Sequence, residues 1–171
     1  RLVGSEMCIR DRLKDASNDD IDKALERLNK LNASTEGDQV SVLKERMQQN
    51  MQNSFGVFRR GDLMEKGINE LAKTREEVDA IYLKDKSATF NTARIEALEM
   101  QNLFEVAEAT AITANERKES RGAHARDDYT ERDDDNWLKH SIYFAETKEV
   151  SKRDVNYCLL YTSPSPRDVS T

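Results

Sequence analysis

Asn91 to Arg117 reads NTARIEALEMQNLFEVAEATAITANER, and this stretch decides the fold. Its apolar residues recur at helical spacing and its interior lacks Gly and Pro, so it is expected to form one long helix. Ile95, Leu98, Asn102, Val106 and Ala109 form one stripe. Met100, Leu103, Phe104, Ala107 and Ala111 widen it to a second face. A helix apolar on two sides packs against partners on both, so this one is placed centrally. The expected architecture is mainly α: a three-helix bundle with a short upstream helix and a small C-terminal β hairpin.

Working toward the N-terminus, Lys84 to Thr89 reads as a turn. Before it, Leu63, Ile68, Leu71, Val78 and Ile81 mark a helix. Asp62 and Glu65 have capping-box spacing at its start. Val40, Leu43, Met47, Met51, Phe55 and Phe58 mark another helix, over about 39–58. It is expected to end at Arg59 and Arg60, cations at the negative pole, with Gly61 as a left-handed C-cap. So short a link favours two helices packed side by side. Asn32 to Asp38 is a linker by composition. The upstream helix carries Ile21, Leu25, Leu28 and Leu31. Ser17 or Asn18 starts it, and a Ser17 cap would contribute about 1 kcal/mol.

Beyond Glu119 the pattern changes. Trp137 to Phe144 alternates as a strand, with Leu138, His140, Ile142 and Phe144 on one side and Val150 to Tyr157 as its partner. Between helix and strand lies Glu119-Ser-Arg-Gly-Ala-His-Ala-Arg126, the densest chemistry of the chain. Arg121 and Arg126 around His124, beside Gly122, could bind a carboxylate, since Arg offers a bidentate fork and Gly admits close backbone approach. The favoured reading is that these arginines pair with nearby acids and position one segment. The acidic run from Asp127 to Asp135 lacks the alternation, turn glycine and closing Glu of a calcium loop, and reads as a solvated loop that pairs with arginine. His124 and His140 lack zinc-site spacing. Met47, Met51 and Met64 read as gap-filling core. There is no GxGxxG, Walker loop or GxSxG, so no catalytic, cofactor-binding or metal residue is assigned.

The ends read differently from the middle. Leu2 to Arg12 (LVGSEMCIRDR) and Cys158 to Asp168 (CLLYTSPSPRD) back-translate to one DNA string read on opposite strands, resembling a sequencing-library adapter. Residues 1–12 and 158–171 are therefore expected to be adapter-derived. Both cysteines and both prolines fall there. The middle then has no disulfide or thiolate site, and nothing to break long helices. The chain carries −6 and its flanks +1, leaving the middle near −7. An acidic body argues against a nucleic-acid partner, which needs a basic face. No stretch is long and apolar enough for direct membrane insertion.

Four stretches carry a resemblance: MQNSFGVFRRG (51–61), FNTARIEALEMQNL (90–103), RKESRGAHARDD (117–128) and DDDNWLKH (133–140). In this order the chain resembles the C-terminal part of succinate dehydrogenase flavoproteins, of bacterial type from the short Tyr129–Trp137 spacing. Fumarate reductases and L-aspartate oxidases share versions of the Ser-Arg-Gly-x-His element. A free-standing helical interaction module is the alternative from another class. The resemblance implies a parent enzyme in which FAD takes a hydride from succinate and passes electrons to an iron–sulfur subunit and quinone. It implies that the flavin-binding residues lie upstream, with neither FAD nor a metal held here. Residues 13–38 would close the upstream flavoprotein region, and 39–157 would be the helical domain with its tail. Arg121, Gly122, His124 and Arg126 match the family motif. They are expected to lock this domain to the upstream flavin domain and shape the face toward the iron–sulfur subunit. The parent would sit peripherally at the cytoplasmic face of a bacterial inner membrane.

Overall fold

The computed structural model describes residues 15–155. The adapter-like flanks, 1–12 and 158–171, lie outside the described residues, as does the end of the expected second strand. The elements run α1 (Asn18–Ala33), α2 (Val40–Phe55), β1 (Phe58–Arg59), α3 (Gly61–Asp79), α4 (Thr92–Glu116), β2 (Ala125–Arg126), α5 (Asp134–Trp137), β3 (Lys139–Phe144) and β4 (Glu149–Asp154).

Helices α2, α3 and α4 form the bundle, and α4 packs on both others. The core joins Leu43, Met47 and Phe55 of α2, Met64, Leu71 and Val78 of α3, and Ala97, Met100, Phe104 and Ala111 of α4. Phe104 is fully buried at its centre. Small alanines on α4 let neighbouring helices approach, while Phe104 and Met100 fill the space between them.

The start of α4 is where the sequence places it. Asn91 caps the helix, its Oδ1 accepting from Arg94 N–H at 2.8 Å. Its Nδ2 donates to the carbonyls of Asp85 and Ser87, so one buried side chain fixes both helix start and preceding turn. Ser17 caps α1 in a reciprocal box with Asp20.

Three local expectations are corrected. First, α2 ends at Phe55 rather than Phe58, because Phe58 and Arg59 pair in parallel with Ala125 and Arg126. Second, Gly61 is no left-handed cap: it opens α3, and its N–H is taken by Asp128 Oδ2 at 3.0 Å. Asp62 forms no capping box with Glu65 and instead receives the fork of Arg60. Third, Ile81 is buried but lies beyond the end of α3.

The hairpin β3–β4 is antiparallel, pairing Lys139 with Asp154 through to Phe144 with Glu149. The side expected to hold Leu138, His140, Ile142 and Phe144 is divided: His140 and Phe144 are exposed, Leu138 and Ile142 partly buried, and Lys139, Ser141 and Tyr143 of the other side are partly buried as well. The reason is the anchoring: Arg117 at the end of α4 reaches Lys139 O and Ser141 Oγ, and Lys148 of the turn reaches Glu108 of α4 at 2.7 Å.

At α4 the two-sided reading divides. The Met100, Phe104, Ala107, Ala111 face is covered by α2 and α3, although Leu103 is exposed. On the other stripe Ile95 and Val106 stay open, 54% and 63% exposed, while Leu98 packs against the core.

Helices α2 and α3 meet closely at Gly67. A Cβ there would lie 2.5 Å from Ser54 Cβ and 2.6 Å from Phe55 Cε2. Asn50 Nδ2 also donates to Gly67 O at 2.9 Å. Helix propensity alone favours Gly67→Ala by about 1 kcal/mol. Overpacking costs about 1–3 kcal/mol, and the blocking atoms include a Cβ and a buried ring, so crowding wins. Gly67→Ala is expected to lower stability by about 1 kcal/mol in thermal unfolding. A raised Tm would show that the two helices do not meet here.

Candidate functional site

The charged motif after α4 sits where two helices end side by side. Each helix leaves carbonyls without partners at its C-terminus, and the dipole makes that end negative. Arg59 serves α2: its Nε donates to Phe55 O at 3.3 Å and Gly56 O at 3.1 Å. Arg126 serves α4: its Nη1 donates to Asn115 O at 3.0 Å, Arg117 O at 3.2 Å and Ala114 O at 3.4 Å. These two arginines are partners in the β1–β2 ladder, Arg59 against Arg126. The ladder thus joins two helix caps.

His124 bridges the same ends. Arg59 Nη1 donates to its Nδ1 at 2.7 Å, and its Nε2–H donates to Arg117 O at 3.1 Å. A guanidinium cannot accept and a carbonyl cannot donate, so the neutral Nε2–H tautomer is the one that fits. Burial pushes the His124 pKa down; the Arg117 carbonyl opposes this, and the charges of Arg59, Arg126 and Arg117 add to the lowering.

Below His124 lies Glu119, fully buried. It accepts from Arg117 Nη1 at 2.5 Å, from Arg121 Nε at 2.7 Å and Nη2 at 3.0 Å, and from Asp133 N–H at 2.9 Å. Burial alone would raise its pKa, but the bonds from Arg121, Asp133 N–H and Arg117 outweigh that and hold it at about 2. Arg126 forks onto Asp128 at 2.7 and 2.6 Å, holding that carboxyl at about 2 with help from Gly61 N–H. Asp134 receives Arg132 and Arg121 and is likewise held at about 2. Arg117 completes the set through Trp137 O at 2.9 Å and Lys139 O at 2.7 Å, its guanidinium 5.3 Å from the Trp137 ring centre.

The structure therefore brings Arg121, His124 and Arg126 together, and engages each within the fold. Both ring nitrogens of His124 are occupied, and the guanidinium of Arg126 is almost fully buried. This arrangement holds segments in place and offers no free base or nucleophile. Gly122 is needed for its conformation, φ +57°, and a Cβ there would meet nothing within 4 Å. The acidic run pairs with arginine at Asp128 and Asp134. Sequence reasoning assigned no such role to Arg117 and Glu119. Their signal was the i, i+2 pairing of a cation and an acid at a helix end, which is common enough to pass unremarked.

Within this cluster the residues do not fit an FAD diphosphate: Arg117, Arg121 and Arg126 are engaged by carboxylates and main-chain carbonyls. Among the described residues no group of three His, Cys, Asp or Glu side chains is placed to hold a metal.

Residues 44–169 match the model of the fumarate reductase flavoprotein C-terminal family. The chain belongs to this family. Among curated relatives, the succinate dehydrogenase flavoprotein subunit of Coxiella burnetii is 47% identical over 138 residues, 81% of this chain and 23% of its own length. The fumarate reductase flavoprotein subunit of Haemophilus influenzae is 39% identical over 131 residues, 76% of this chain and 21% of its own length. Among solved structures, an E. coli quinol fumarate reductase superposes with a TM-score of 0.75 at 32% identity, covering 90% of this chain and 28% of that one. The chain thus spans about a quarter of the length of the relatives it matches. In this family context the arginine clasp closes the end of the C-terminal helical domain.

Proposed function

We propose that this chain is the C-terminal helical domain of a succinate-oxidising flavoprotein. The full-length protein would carry FAD on its upstream region, oxidise succinate to fumarate and pass the electrons to an iron–sulfur subunit and quinone. The observation that carries this reading is the 47% identity to a succinate dehydrogenase flavoprotein subunit along most of the chain. The local work of the domain is structural. Arg121, Gly122, His124 and Arg126, with Arg59, Arg117 and Glu119, fix the end of the bundle so that its outer surface keeps one shape against the flavin domain and the iron–sulfur subunit. The side chain of Arg121 is 25% exposed and lies beside the open Gly122, so this corner is the part of the clasp a neighbour can reach. Among the described residues no helix is long and apolar enough to cross a membrane, which accords with peripheral attachment through a complex at the cytoplasmic face of a bacterial inner membrane.

Fumarate reduction is the second reading, favoured by the fold match to the quinol fumarate reductase. The test is to recover the gene with its upstream part and purify the product with its partner subunits. Bound flavin absorbance, with succinate oxidation faster than fumarate reduction, is the expected result. Bound flavin with the opposite ratio would favour the second reading, and a product without flavin would overturn both.

A further inference from the structure

Among the described residues, the partners of Arg59 carry no negative charge. They are the carbonyls of Phe55 and Gly56 and Nδ1 of His124. The other arginines of the clasp are balanced, Arg117 and Arg121 by Glu119 and Arg126 by Asp128. The half-buried guanidinium of Arg59 therefore leans on a lone pair that only a neutral imidazole offers. The far nitrogen of the ring is fixed as well, Nε2–H donating to Arg117 O at 3.1 Å. The ring cannot retreat, because two main-chain bonds between Arg121 and His124, 2.8 and 3.0 Å long, close the turn that carries it. Arg59 faces it from β1, Arg117 from the end of α4 and Arg126 from β2; burial first, and then each of these cations, opposes a proton on the ring. The acids nearby are turned elsewhere. Glu119 and Asp134 meet Arg121, Asp128 meets Arg126, Asp62 at the start of α3 meets Arg60, Asp133 caps α5, and Asp127 is exposed.

We propose that His124 is a pH-sensitive latch: in mildly acidic medium a proton taken from solvent at Nδ1 displaces Arg59 and opens the β1–β2 corner, freeing the end of α2 from the end of α4. The new N–H stands where the ring accepted one, so Arg59 Nη1 loses its acceptor and two cations meet at hydrogen-bond distance with no carboxylate between them. Arg59 is the member that gives way, since Arg117 and Arg126 are each bound to a carboxylate and to carbonyls besides. Its departure pulls on the ladder, where Arg59 is the register partner of Arg126 and its carbonyl accepts from Asp127 N–H at 2.9 Å. The response is local. The buried core of the bundle holds only apolar side chains and has nothing to titrate. The carboxylates of the clasp stay out of the window, since Glu119, Asp128 and Asp134 keep their charge down to about pH 2. The latch works in this chain whichever reaction the full-length protein carries out.

The test follows the 171-residue chain by NMR and amide exchange from about pH 7.5 to about pH 5.5. At the upper end the ring nitrogens of His124 should report the Nε2–H tautomer, with Nδ1 unprotonated. A freed imidazole binds its proton at about pH 6.5, so the closed corner is fully stable above that value and loses ground as pH falls below it. One unit lower, the freed ring is protonated about ten to one. Exchange protection of the Asp127 amide should therefore fall about tenfold by pH 5.5, while that of Phe104 stays unchanged. His124→Gln supplies an acceptor for Arg59 and a donor for Arg117 O without titrating, and should keep its protection throughout. His140→Gln, on an exposed position of β3, should respond like wild type. Constant protection in wild type, or an acid loss that persists in His124→Gln, would overturn the proposal. Should the glutamine fail to seat and leave Asp127 unprotected already at pH 7.5, the wild type decides alone. An Nε2–H ring together with the tenfold fall upholds the latch. A ring with Nδ1–H at pH 7.5, or one that takes up its proton while Asp127 stays protected, overturns it.

Discussion

Glu119→Gln is expected to lower the stability of the domain by about 3 kcal/mol at pH 7, read from urea unfolding followed by helical circular dichroism. Removing one member of a buried charge group leaves the others uncompensated, which costs about 3–5 kcal/mol. We take the lower end because Arg117 and Arg121 keep partial access to solvent, their side chains 16% and 25% exposed. The amide retains the shape of the carboxylate but not its charge, and one of its two heads donates where only acceptors are useful. The effect has a pH signature. The folded pKa of Glu119 is about 2, against an ordinary 4.5. A depressed carboxylate contributes fully above its unfolded value and loses that contribution as pH falls through the folded one. The gap between wild type and Glu119→Gln should therefore be constant above about pH 5 and shrink progressively between pH 4.5 and 2. A gap that persists unchanged to pH 2 would mean that the charge of Glu119 is not the source of its contribution.

Arg126→Met is expected to cost a similar amount, about 3 kcal/mol, for a different reason. The methionine keeps much of the buried stem but abandons three carbonyls at the end of α4 and the carboxylate of Asp128. Asp128 also holds the first N–H of α3, so the loss reaches a second helix. Arg126→Lys tests whether geometry or charge matters. A lysine restores the cation but cannot serve the carbonyls and fork onto Asp128 together, so it should recover less than half of the loss. Recovery to wild type would show that a point charge at the helix end is sufficient. Melting curves of the three proteins decide between these outcomes.

The helices were legible because their signals are local. Ser17, Asn91 and the apolar rhythm of α4 act within one or two turns, and the structure places them as read. The clasp was legible only as a concentration of charge. Phe58 and Arg59 carry every mark of a helix end, yet a two-residue ladder with Ala125 and Arg126 draws them out of the helix, and no rule of spacing joins positions so far apart in sequence. The hairpin sides were divided for a related reason. Alternation says which residues share a side, but anchoring by Arg117 and Lys148 decides which side meets α4. The α4 stripe is a misreading of another kind: Ile95 and Val106 ask for a cover that the described residues do not supply.

The β1–β2 ladder also sets an order of events during synthesis. Positions 58 and 59 leave the ribosome long before 125 and 126, and until the latter emerge the last turns of α2 and α4 lack their tether. Nearly all of the helical bundle is therefore made before its fastener exists. A nascent chain stopped between Glu116 and Arg126 would hold the four long helices with α2 and α4 untethered at their ends, the kind of product that proteases clear first. Two residue pairs thus join ends of the polypeptide made far apart in time.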